Sequence, residues 1–106
     1  MPEGRPVILS QSMVSRCLAD SEFLAQVPEF STLKAKLKVM RIERTRRGCS
    51  GCRKVRVQQN LFKDFQLITL SLGRAGLDRM KRYLGVESLM MNTLDTKTNK
   101  VRVRVV

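Results

Sequence analysis

Apolar residues recur along this chain first at helical and then at strand spacing. Met13, Cys17 (or Leu18), Ser21 and Leu24 fall on one face of a first helix, which Ser10 or Ser12 can cap and Pro28 ends. Ser31 can cap a second helix, in which Leu33, Leu37, Met40 and Arg44 follow one stripe. Residues 34 to 39, KAKLKV, also alternate strictly, which is a strand signature, although the wider window fits a helix better. Both readings send a row of lysines to solvent. In the helical one, Lys34, Lys38 and Arg41 share a face roughly 60° wide at 100° per residue.

The longest stripe is Val57, Leu61, Phe65, Ile68 and Leu72, which predicts a helix of about four turns. A rival reading takes the Ile68, Leu70, Leu72 alternation and makes a strand of residues 66 to 72. The helix is favoured because its stripe is longer. Gly73 ends it, and a short helix follows with Leu77, Met80 and Leu84 inward and Gly85 as its C′ residue. The pattern then switches to a period of two. ESLMMNTL and KVRVRVV flank the turn-rich DTKTN, so residues 87 to 106 read as a β-hairpin. In its last strand Val101, Val103 and Val105 alternate with Arg102 and Arg104, which predicts one buried and one cationic face. Residues 1–9, with Pro2 and Pro6, read as an extended arm ahead of a single domain at 10–106. The fold expected is α+β: a small, mainly helical domain of about three to four helices, closed by a C-terminal β-hairpin.

Size and composition sharpen this picture. A chain of 106 residues holds one domain with a modest core. With no Trp, one Tyr and four Phe, that core rests on Leu, Val, Ile and Met. An oligomer or a bound ion would supply what so thin a core lacks. Neither the opening MPEGRPVIL nor any later segment has the apolar run of a signal peptide or membrane span. Three Cys without an export signal argue against a disulfide scaffold and for a reducing, intracellular setting, or a virion within a host cell.

Charge changes the picture most. The chain carries +12, with 21 Lys and Arg against 9 Asp and Glu. Residues 34–56 hold ten cations and only Glu43 against them, which is +9 in 23 residues. Such a block repels itself unless it is solvated or neutralised by a polyanion. Arginine, whose planar fork binds phosphate through two parallel hydrogen bonds, outnumbers lysine within it. The candidate nucleic-acid contacts are Lys34, Lys38, Arg41, Arg44, Arg46, Arg47, Arg53, Lys54 and Arg56. A merely soluble face would mix its signs.

Inside the block, CSGC places Cys49 and Cys52 three residues apart, with Gly48 and Gly51 as chain breakers around them. That spacing lets two thiolates grip one zinc ion from a tight turn. Four ligands complete such a site, and the chain has no His. Cys17 is the remaining sulfur, with Asp20 one turn later as an oxygen donor, unless two chains pool their thiols. A pair of free thiols beside a turn is the simpler expectation, with zinc the candidate cofactor if there is one. Redox catalysis is disfavoured, because no parallel α/β pattern surrounds the motif.

Other classes find little support. No paired carboxylates, phosphate-binding loop or dinucleotide fingerprint is present; GRAG at residues 73–76 is neither of the last two. An enzyme is therefore not expected. Nor is there a helix-turn-helix, zinc finger or stacking aromatic pair, so contact with DNA or RNA would be to the phosphate backbone rather than to bases. The competing expectation is a structural or accessory assembly protein, such as a virion or phage-type component. It would dock on an acidic protein surface or packaged genome, with the edge of Lys100 to Val106 as a template for strand addition and homo-oligomerisation as one outcome.

Overall fold

The computed structural model describes residues 6–38, 51–95 and 97–106, with residues 51–57 described by backbone alone. The α+β architecture expected from the sequence is present. Among the described residues, five helices precede a C-terminal antiparallel strand pair, and a short first strand joins that pair in one sheet.

Strand β1 (Val7–Ile8) leads into helix α1 (Gln11–Ala19), whose first turn is capped by Ser10 Oγ, which accepts from the Met13 N–H at 3.2 Å. The single helix expected before Pro28 is in fact two. Asp20 takes an extended conformation (φ −97°, ψ 112°), ends α1 and caps α2 (Ser21–Gln26). Its carboxylate accepts from the Glu22 N–H at 2.9 Å, a local bond that competes with helix continuation. Pro28 opens a 3-10 segment (Pro28–Leu33), where its missing N–H loses nothing. Ser31 is therefore not an N-cap; it lies inside that segment, and its carbonyl accepts from the Lys34 N–H. Residues 34–38, labelled α3, are helical, which removes the strand reading of KAKLKV over those residues.

Helix α4 (Gly51–Ser71) spans 21 residues, so the rival strand at 66–72 is not formed. Helix α5 (Gly73–Leu84) closes on Gly85, as expected. At φ 70° that residue sits in the left-handed region, which glycine enters without Cβ strain, and the Val86 N–H reaches back to the Lys81 carbonyl at 3.0 Å. Strands β2 (Leu89–Asp95) and β3 (Lys100–Val105) form the hairpin. Its turn is held by Asp95, whose carbonyl accepts from Asn99 N–H at 2.7 Å and whose carboxylate accepts from Lys97 N–H at 2.9 Å. Sheet order is β1-β2-β3, with β1 parallel and β3 antiparallel to the central strand. The residues expected as an arm thus reach the sheet at Val7 and Ile8 and the core at Leu9.

The core lies between the helices and one face of the sheet. Phe23, Phe30 and Phe65 are fully buried, with Phe30 and Phe65 stacked at 4.3 Å and Tyr83 edge-on to Phe23 at 5.4 Å. Leu89 and Met91 of β2 face this cluster and are also buried. Two polar side chains are enclosed in α4. Thr69 Oγ1 donates back to the Phe65 carbonyl at 2.8 Å, while Gln66 Oε1 has no partner among the described residues.

One expectation about the hairpin is overturned. Val101, Val103 and Val105 are 68%, 59% and 59% exposed rather than buried. Cross-strand partners point the same way, and these valines pair with Leu94, Asn92 and Met90, opposite in pleat to Met91 and Leu89. The helices cover only the Leu89–Met91 side.

Candidate nucleic-acid interface

Leu33 and Leu37 are four residues apart and both buried, which anchors one stripe of the 3-10 and α3 region in the core. Lys34 and Lys38 each follow one residue later, about 100° around the helix, and are exposed. Neither makes an ion pair among the described residues. Between them Lys36 points to α4 and pairs with Asp64, a tie across 28 residues of sequence that fixes α3 on the flank of the long helix. Lys63, beside Asp64, is exposed as well. The described start of the basic block is therefore a cationic face held on packed helices.

The block resumes at the first residues of α4. Cys52, Arg53, Lys54 and Arg56 belong to its first two turns. Gly51, expected as a chain breaker, instead starts the helix, and Cys52 is helical, while Gly48 and Cys49 lie outside the described residues. The N-terminal end of this helix carries the positive end of its dipole. Arg41, Arg44, Arg46, Arg47 and Cys49 lie outside the described residues.

The described carboxylates are mostly engaged elsewhere. Glu29 pairs with Arg79 at 3.3 Å, Asp95 with Arg102 at 3.3 Å, and Asp78 lies 4.0 Å from Lys81. Asp20 accepts from Tyr83 Oη as well as from the Glu22 N–H. None of these acids pairs with Lys34 or Lys38. The aromatic side chains are likewise committed, since Phe23, Phe30 and Phe65 belong to the core cluster and Phe62 and Tyr83 pack against it.

Cys17, the third candidate sulfur, sits on α1 at 4% exposure. Burial pushes its thiol up to about 11, with the Asp20 charge adding to the rise and Arg16 opposing it. Burial thus stabilises the neutral thiol relative to the thiolate that a metal ligand must be. Among the described residues, no group of three His, Cys, Asp or Glu is placed to hold a metal ion. No described helix is long and apolar enough to cross a membrane.

The tie through Asp64 and the double role of Asp20 were not foreseen from the sequence. Asp20, a residue type favoured at helix N-caps, did carry a capping signal, which the apolar stripe running through it masked. No protein-family model, curated protein or solved structure matches this chain.

Proposed function

We propose that this chain is a non-enzymatic protein that binds nucleic acid by phosphate-backbone contacts. The contacts are assigned to Lys34, Lys38, Arg41, Arg44, Arg46, Arg47, Arg53, Lys54 and Arg56. The observation that carries the reading is the net +9 over residues 34–56, entered through exposed Lys34 and Lys38 on a braced helix. A polyanion neutralises such a block and releases its own condensed counterions, which drives binding without base recognition. The commitment of the aromatic side chains to the core supports backbone contact over base stacking. In this reading Cys49 and Cys52 have at most a structural part, pinning the arginines beside them, with or without zinc.

The test is affinity for duplex and single-stranded DNA and RNA as a function of salt. Charge reversal at Arg46, Arg47 and Arg53 should weaken binding to all sequences alike, because phosphates carry no base information. Absence of binding at low salt would refute the proposal, and comparison of the four ligands identifies the class preferred. A second reading is an assembly or accessory component of a larger particle, of virion or phage type, docking on an acidic protein surface or packaged genome. It is favoured by the exposed last strand, one face of which carries Lys100, Arg102 and Arg104. Capture of an acidic protein that survives nuclease treatment would select it.

A further inference from the structure

Among the described residues, the side of the sheet turned away from the helices is an apolar surface without charge. Register places Ile8 beside Met90, and Val105, Val103 and Val101 beside Met90, Asn92 and Leu94. Ile8 is 69% exposed and Leu94 41%, in line with the valines next to them. Asn92 is the one polar member. Lys100, Arg102, Arg104 and Asp95 all project from the opposite side of the same strands. Summed from these exposures, the patch is roughly 500 Å², within the range of about 300–600 Å² for the largest patch on a monomer, which is often functional.

We infer that this face is where a second copy of the chain docks, sheet against sheet, to form a two-fold dimer. Two copies would bury about 1,000 Å² together, which meets the lower limit for a specific interface. Charge selects the occupant. Each copy carries +12, so self-association needs a contact that sets no cation against another, and this face supplies one. An acidic partner would find no opposite charge here. Because the patch is complementary to itself, a two-fold axis through Asn92 and Val103 closes the assembly at two.

Edge-to-edge pairing of β3 is the geometrical rival, and charge opposes it. Leu89 and Val106 exchange both backbone hydrogen bonds, at 3.1 and 2.9 Å. By alternation, the backbone groups of Val101, Val103 and Val105 point away from β2. A two-fold strand pair centred on Val103 would set Arg102 directly against Arg104 of the second copy, twice over. Like charges facing each other across strands are destabilising. The face-to-face contact avoids this, since the arginines point outward from the sandwich.

The inference does not rest on the phosphate reading, and its test uses the nucleic-acid-free full chain. Sedimentation from about 5 to 500 μM should show a monomer–dimer equilibrium, with dissociation in the tens of micromolar expected of so small an interface. Val103→Lys places two ammonium groups at the dyad and should leave the chain monomeric throughout. Its circular dichroism and low-concentration melting should match the parent, because Val103 is exposed within one copy. Arg104→Glu should leave dimerisation within about threefold. Added salt should strengthen dimerisation, because it screens repulsion between two cationic bodies. A parent chain still monomeric at 500 μM would overturn the inference, and so would a Val103→Lys chain that associates as the parent does. Tenfold strengthening by Arg104→Glu would overturn it in favour of edge pairing.

Discussion

Replacing Asp20 by Ala removes one side chain that does three jobs. Asp20 ends α1, caps α2 through the Glu22 N–H at 2.9 Å, and accepts a hydrogen bond from Tyr83 Oη on α5. Loss of an N-cap costs about 1 kcal/mol. Leaving the half-buried Tyr83 hydroxyl without its charged acceptor costs a further 1–1.5 kcal/mol or so. The sum is roughly 2–2.5 kcal/mol, a large share of the stability expected for so small a core. For a domain near this size that lowers the melting temperature by roughly 10 °C. Urea titration followed by circular dichroism gives the free energies directly. Tyr83→Phe alone should cost about 1 kcal/mol, and almost nothing once Asp20 is Ala, giving a coupling near 1 kcal/mol. Asp20→Asn keeps one oxygen for the Glu22 N–H and turns its NH2 toward Tyr83 Oη, which can accept from it, so it should lose less than Asp20→Ala. A loss under about 0.5 kcal/mol for Asp20→Ala, or full additivity with Tyr83→Phe, would refute this account of how α1, α2 and α5 are joined.

The buried Cys17 thiol, pushed up to about 11 from an ordinary 9.0, links stability to alkaline pH. Above pH 9 the unfolded chain releases this proton while the folded chain keeps it, so this contribution is fully present below pH 9 and declines up to about pH 11. The loss reaches roughly 3 kcal/mol at about 1.4 kcal/mol per pH unit. Between pH 8 and pH 10 the parent should lose about 1.3 kcal/mol more in denaturation than Cys17→Ala does. Cys49→Ser with Cys52→Ser should leave binding and stability almost unchanged if no metal is held. If elemental analysis finds zinc, both should fall, with about one ion per chain indicating a site within one copy and about one half a site shared by two. Breaking the Lys36–Asp64 tie with Asp64→Asn should change phosphate binding by less than about fivefold, because a largely exposed pair contributes under about 1 kcal/mol to holding α3 and its loss removes one negative charge beside the cationic face.

Elements defined by long apolar stripes were legible in the sequence. The α4 stripe from Leu61 through Phe65, the Gly85 terminus of α5 and the DTKTN turn all reflect interactions within a few residues of one another. The break at Asp20 was hidden because the apolar period continues through it into Leu24, while a single local hydrogen bond decides the backbone. The valine strand shows a different limit. Alternation separates two faces, but which face is covered depends on where the helices stack, and they occupy the Leu89–Met91 side. Of the site, the exposure of Lys34 and Lys38 followed from the Leu33–Leu37 stripe. The brace from Lys36 to Asp64 did not, since no local pattern connects residues 28 apart.

The central claim is that residues 34–56 grip a phosphate backbone without reading bases. The direct measurement is the equilibrium constant for a mixed-sequence oligonucleotide across a series of salt concentrations, for the parent chain and for the Arg46, Arg47, Arg53 charge-reversal variant. Engagement of six to eight cations gives a log–log slope of about −5 to −7 for duplex DNA. The variant should be shallower by about three units, with the same change on unrelated sequences. A slope near zero, or a variant that binds one sequence normally and loses only another, would contradict the account.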